Sequence, residues 1–294
     1  MRRLLPLFAS LAVLALPASA HAFTFYEWDL DGGPSAIVEF QGELHYTLAD
    51  DNARGRSTLR GVQAAAEPIL NLFVPAKIVV GPGDGFLWWI GENSAAVGLS
   101  GRALPIALPV PGAPRDLAAA DAAVWVLQNN NSITCVTTAG VATRYPSALT
   151  APVALVRGGD GALWAVGDNR LMRYAVGTGC AEPTRADFPL ADGTNPTDIA
   201  AAATGNTLYI SAPGQVIQVT PDGSEPPAMQ PVPLGDNRPA ALATNAEGAW
   251  WVDTTNRRIG RVTADLTVTE WALPRGFGAP SDLTLASDGS LWYV

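Results

Sequence analysis

The sequence predicts an all-β fold, a seven-bladed β-propeller of four-stranded antiparallel blades, on three observations. A unit of about forty residues recurs seven times, each unit carries short apolar runs separated by Gly-containing turns, and proline or glycine interrupts every helical window before ten residues.

The chain opens on "MRRLLPLFASLAVLALPASAHA": two arginines, an apolar run, then small residues. That is the layout of a cleavable export signal, residues 1–22, with cleavage after Ala22 and Ala20 the second choice. The apolar stretch is too short to span a bilayer, and no second one of that length follows. The mature chain, residues 23–294, is therefore expected to be one soluble domain, periplasmic or secreted, with no membrane span.

The repeat is marked by Pro34, Pro75, Pro114, Pro152, Pro196, Pro239 and Pro280, at spacings of 41, 39, 38, 44, 43 and 41 residues. After each proline comes a first strand, a turn, and a second strand bearing His45, Trp88, Trp125, Trp164, Tyr209, Trp251 or Trp292. A third apolar segment ("RRIGRVTAD", "QVIQVTPDG") and a fourth ("TVTEWALP") complete the blade. No blade can bury both of its faces alone, so the large aromatics are expected to fill the spaces between blades.

Ring closure is read from the two ends. "FTFYEWDLDGGPSAI" matches "VTEWALPRGFGAPSDL", with Tyr26, Glu27, Trp28 and Leu30 falling on Thr269, Glu270, Trp271 and Leu273. The N-terminal segment is thus a fourth strand that closes the last blade. That blade owns a first strand near Ser281 to Ala286 and a second at Leu291 to Val294, and lacks a third, so the chain is expected to be cut short at "SDGSLWYV", a gapped last blade being the alternative.

Without Arg2 and Arg3 the formal charge falls from -9 to -11, and Lys77 is the only lysine. With no Lys/Arg run, the chain has no basic stripe to neutralise phosphates, which excludes nucleic acid as a partner. The expected partner is a small ligand or an exported protein, and the expected state a monomer.

Cys135 and Cys180 face an oxidising compartment, where they either form a disulfide or remain two separate buried thiols. Two cysteines without clustered histidines make a poor zinc site. His45 replaces the second-strand Trp or Tyr of other units, which marks it as a packed core histidine rather than a catalytic one. "GPGDG" from Gly81 to Gly85 lacks the Lys-Ser/Thr of a phosphate loop and reads as a turn.

Residues just after each proline approach the central channel. The polar ones, Ser35, Lys77, Arg115, Asp116, Thr197, Asp198, Ser281 and Asp282, are the candidate ligand-binding rim. Asp116, Asp198 and Asp282 lie in alternate units, an arrangement able to bring three carboxylates to one axis and hold calcium or magnesium. The other reading has them hydrogen-bonding local amides or pairing with Lys77 and Arg115.

"RPAALATNAEGAWWVDTTNRRIGRVTADLTVTEWALP" resembles the unit of the streptogramin lyase (virginiamycin B lyase) family, P-x-x-I-x-x-x-x-D-G-x-L-W-F, then I-G-R-I-T, then T-E-[FWY]-x-L-P. The resemblance covers essentially the whole mature chain and implies the seven-bladed propeller. It also implies elimination at the ester of a cyclic depsipeptide antibiotic, with magnesium assistance and a histidine as acid/base. The family's histidines follow the repeat proline in the last two units, where this sequence has Ala240 and Ser281. Its glutamate position lies just beyond Val294. The reading is therefore an exported, non-catalytic propeller that binds a ligand or protein on one face. A metal-assisted lyase or a lactone hydrolase is the alternative, and a front domain of a longer protein a third possibility.

Overall fold

The computed structural model describes residues 26, 30, 32–69, 74–91, 94–102, 104–223, 226–273 and 280–294. Six four-stranded antiparallel sheets, each in sequence order, form the blades. Their inner strands are Pro34–Phe40, Pro75–Val80, Pro114–Ala120, Pro152–Arg157, Asp198–Ala201 and Pro239–Asn245. The seventh unit is a hairpin of Leu283–Leu285 and Leu291–Tyr293. Inner strands contact one another in order, and the hairpin contacts blade 1, so the units form a ring.

Among the described residues the count of four-stranded blades is thus six and not the seven expected. The unit beginning at Pro280 has fifteen residues in this sequence, room for one tight hairpin. The expected closing strand and the leader at 1–22 fall largely outside the described residues. Leu30, which is described, packs beside Leu44, Tyr46 and Leu48 of blade 1 with Trp292 of the hairpin. Apart from a single 3-10 turn at Pro82–Asp84, the described residues contain no helix.

The core is divided into seven apolar clusters, each lying between consecutive units. Trp88 packs on Val124 and Val126 of the next blade, Trp125 on Leu155 and Leu163, and Trp164 on Ile199 and Leu208. These tryptophans and Trp251 are fully buried, in the inter-blade positions that the repeat predicts. Glycine in the third strand admits some of them: a Cβ on Gly260 would lie 2.0 Å from Trp251, and one on Gly98 2.0 Å from Trp89.

Cys135, on the third strand of blade 3, is disulfide-bonded to Cys180, in the loop before the fourth strand of blade 4, with Cα atoms 5.6 Å apart. The Tyr145 hydroxyl donates to the Cys180 carbonyl at the same joint. The disulfide therefore staples two neighbouring blades.

In five blades the register slips directly after the repeat proline, at Pro34/Ala36, Pro75/Lys77, Pro152/Ala154 and Pro239/Ala241, and in blade 3 between the partners Pro114 and Asp116. Proline lacks the N–H for the ladder, and the extra residue forms a bulge that re-aims the one after it. In blades 2 and 3 the residues that follow this irregularity are Lys77 and Asp116.

Candidate functional site: the collar of the central channel

Two residues after the repeat prolines stand Ala36, Lys77, Asp116, Ala154, Asp198, Ala241 and Asp282. The four charged members come from units 2, 3, 5 and 7, yet Lys77 interacts electrostatically with all three aspartates. They therefore share one axis. Lys77 Nζ lies 4.0 Å from Asp282 Oδ1, with the side chains 34% and 14% exposed.

Each aspartate spans a joint between units. Asp116 Oδ1 accepts from its neighbour Leu117 N (2.8 Å), and Oδ2 from Leu155 N of blade 4 (2.7 Å). Asp198 repeats the pattern, with Oδ1 on Ile199 N (2.8 Å) and Oδ2 on Leu242 N of blade 6 (2.7 Å). Asp282 Oδ2 accepts from Ile37 N of blade 1 (3.0 Å), leaving Oδ1 toward Lys77. At that joint Glu39 also holds Ser287, through its amide at 3.2 Å and its hydroxyl at 2.9 Å.

Burial raises the Asp198 pKa to about 7, against the pull of Lys77 and the Leu242 amide, while Asp116 and Asp282 push it further up. Asp116 is also shifted upward, first by burial, with Lys77 and its two amide bonds opposing. Asp282, then Asp198 and Asp116, hold the Lys77 ammonium charged above its ordinary range, outweighing its own burial. The collar thus contains a carboxyl that gains and loses its proton near neutral pH beside a permanent cation.

The other rim candidates separate from this group. Ser35 Oγ donates to Pro75 O of blade 2 (2.6 Å) and bonds Thr47 (2.8 Å), and Thr197 Oγ1 donates to Pro239 O of blade 6 (2.7 Å) and bonds Ser211 (2.8 Å). Both hydroxyls are joint connectors. Arg115 is exposed and makes no ion pair among the described residues, so the expected pairing with an aspartate is not formed. Ser281 donates to Val294 O (3.1 Å).

The expected calcium or magnesium site is corrected. Asp116, Asp198 and Asp282 do converge, but no group of three or more His, Cys, Asp or Glu side chains among the described residues is placed to hold a metal ion. Their oxygens are taken up by amides, and Lys77 supplies the counter-charge that a metal would otherwise bring. His45 is buried on the second strand of blade 1, against Phe40, with Nδ1 unpartnered. Burial, then Arg54, lowers its pKa, which marks a neutral core group.

Sequence reasoning placed the aspartates but missed their partners, the amides of Leu155, Leu242 and Ile37 across each joint. It also missed Asp253, fully buried, which gathers the amides of Arg238 (2.6 Å), Thr255 (2.8 Å) and Asn256 (2.8 Å) at the end of a second strand. The "WVD" that closes that strand was the available signal.

Among the described residues, six four-stranded blades and a terminal hairpin around an axial charged collar define a β-propeller protein, with the collar as its candidate site. No protein-family model matches the chain. It is 32% identical over 214 residues to a virginiamycin B lyase of Nocardia farcinica, a stretch covering 70% of this chain and 73% of that protein. The chain belongs to the virginiamycin B lyase family. Its fold is similar to a solved streptogramin B lyase (TM-score 0.78, 21% identity, 90% of each chain). It is also similar to a catalytically inactive histidine-to-alanine virginiamycin B lyase of Staphylococcus aureus solved with quinupristin (TM-score 0.75, 20% identity, 89% of this chain and 91% of that one).

Magnesium, which the family implies, does not fit the described residues. Magnesium takes oxygen ligands, and no three His, Cys, Asp or Glu side chains among the described residues are grouped to offer them, the collar carboxylates being committed as described.

Proposed function

We propose that this chain is an exported, non-catalytic member of the virginiamycin B lyase family that holds a ligand or an exported protein at the mouth of its channel. The observation that carries the reading is Ala240 and Ser281 at the two family histidine positions, which leaves no imidazole after the last two repeat prolines. The Staphylococcus aureus relative whose histidine is replaced by alanine is catalytically inactive and was solved with quinupristin. This chain carries a comparable loss in its own sequence. Lys77, Arg115, Asp116, Asp198, Ser281 and Asp282 form the proposed binding rim, with Ser35 and Thr197 fixing the strands beneath it. In this reading the leader is residues 1–22.

The test is incubation with quinupristin, with and without magnesium, followed by chromatography for the ring-opened product and calorimetry for binding. Binding without a ring-opened product is expected; catalytic turnover would overturn the non-catalytic reading.

Turnover would instead support a second reading, a lyase or lactone hydrolase with a different proton-transfer group. Two observations favour it: the 32% identity to a lyase, and Asp198, whose carboxyl titrates near pH 7.

A further inference from the structure

The joint between blades 1 and 2 and the joint between blades 5 and 6 hold an indole at the same point of the repeat. Trp89 pairs with Ile78, three residues after Pro75, and Trp251 with Leu242, three after Pro239. Each lies on a third-strand glycine of its own blade, Gly98 or Gly260, and neither Nε1 has a hydrogen-bond acceptor among the described residues.

The facing blades treat the two indoles differently. Trp251 is enclosed with Val216 and its fourth-strand partner Val232, both buried. The equivalent residues in blade 1 are Arg54 and its partner Glu67, because Arg54 pairs with Thr47 as Val216 pairs with Ser211. Thr47 and Ser211 are matched in turn by their bonds to Ser35 and Thr197. The Arg54 guanidinium lies 5.4 Å from the centre of the Trp89 ring and is ion-paired with Glu67. Where valines seal one joint, the charged pair leaves in the other a groove of about 230 Å³ on the outer wall of the ring, lined by Arg54, Glu67, Ile69, Trp89, Leu99 and Ser100. Gly98, on which the Trp89 Nε1 lies, lines it as well.

The groove's polar atoms are mostly donors. Trp89 is 9% exposed and its Nε1–H is unpartnered. The Arg54 side chain is 18% exposed and gives Glu67 one of its five N–H groups. Ser100 Oγ accepts from Leu87 N (2.9 Å) and keeps its own proton to donate. Glu67 is the only carboxylate in the lining, and Arg54 holds it. Arg102 lines the far end, but its guanidinium lies at Gly140 of blade 3, which leaves Arg54 as the anchoring cation.

A guest must therefore bring acceptors, and a guanidinium edge with unspent N–H groups matches a carboxylate. An amine would meet the Arg54 charge. A sugar ring would find no indole face to stack on, since Gly98 covers one and Arg54 the other. Ile69, Leu99 and the edge of Trp89 offer an apolar wall to a hydrocarbon body. The volume falls short of the roughly 300 Å³ at which sites for drug-sized ligands begin, so the guest is small. We infer that the groove between blades 1 and 2 is a binding site for a small organic carboxylate, its anionic group on Arg54 and Trp89 Nε1 and its hydrocarbon on Ile69 and Leu99. The site is separate from the collar and does not depend on what the collar binds.

The experiment titrates the mature protein with hexanoate at about 0.05 M salt, where charge is weakly screened, and follows the indole N–H resonances by NMR, with Trp89→Phe assigning the Trp89 signal. A saturable shift of that signal is expected, and none with hexanol, hexylamine or inorganic phosphate at the same concentrations. Arg54→Lys keeps the charge but loses the fork, and should weaken hexanoate at least tenfold. Glu67→Gln frees the guanidinium from its internal carboxylate and should tighten hexanoate at least threefold, an effect that a purely structural ion pair would not produce. Arg54→Val with Glu67→Val copies the sealed joint and should abolish binding without lowering the thermal midpoint. Absence of a saturable shift up to the solubility limit of hexanoate overturns the inference. So does an equal response to hexanol or phosphate, a Glu67→Gln variant that binds no tighter than the parent, or a double-valine variant that still binds.

Discussion

Replacing Lys77 with Met removes the only cation of the collar while keeping much of the side-chain volume. At 4.0 Å from Asp282, and an effective dielectric constant of about 20, the direct attraction is about 4 kcal/mol. Lys77 is one-third exposed to channel water, and screening reduces the net loss to about 1–2 kcal/mol. A pH-dependent part adds to it. Asp198, raised by burial to about 7, keeps its proton in the folded state over a range where the unfolded chain has lost it. The parent therefore loses stability from this group as pH rises from about 4 to about 7. Lys77 holds that pKa down, so K77M raises it further and prolongs the loss to higher pH. Each pH unit by which it rises costs about 1.4 kcal/mol more in alkaline solution. Urea unfolding of parent and K77M at pH 5, 7 and 9 should give a stability gap that widens upward. A gap that stays constant, or narrows toward pH 9, would refute the shared-axis electrostatics of the collar.

Three further outcomes follow from other parts of the ring. Cys135→Ala with Cys180→Ala releases a closure spanning 45 residues, and should destabilise the fold by about 2–4 kcal/mol in chemical unfolding; equal midpoints with and without reductant in the parent would contradict the staple. Trp251→Ala empties the joint between blades 5 and 6 and should cost about 3–5 kcal/mol, read from the same transition, whereas a loss below about 1 kcal/mol would argue against its core role. His45, with a pKa held below 6.5, binds its proton less readily folded than unfolded, so stability should fall as pH drops below about 6.5. His45→Phe should flatten that acid limb, and an unchanged limb would assign it to other groups.

The architecture was legible because every unit restates it. Proline, second-strand aromatic and turn recur in one order, and Trp88, Trp125, Trp164 and Trp251 occupy the inter-blade positions that this order implies. The convergence of Asp116, Asp198 and Asp282 was legible for the same reason, since equal offsets from equal prolines land at equal heights in a ring. Their use was not. Whether a carboxylate at that height meets a metal or an amide depends on where the next unit's backbone N–H falls across the joint, a distance in space that no residue type announces. Ser35 and Thr197 differ from Arg115 in the same hidden way: short hydroxyl side chains reach the next blade's proline carbonyl, while the long arginine extends into solvent.

The spacing of the aspartate bridges makes the ring less uniform than its repeat. Bridges tie blade 3 to 4, blade 5 to 6, and the terminal hairpin to blade 1, so the units group as three doublets and a singlet. The singlet is blade 2, which carries Lys77. Any dilation of the channel should therefore proceed at the seams that lack an aspartate bridge, where links such as Ser35 to the Pro75 carbonyl and Thr254 to the Pro280 carbonyl are the ones to yield, each doublet moving as one body. A ring built this way can widen its bore in a few discrete steps while its cross-linked pairs keep their shape.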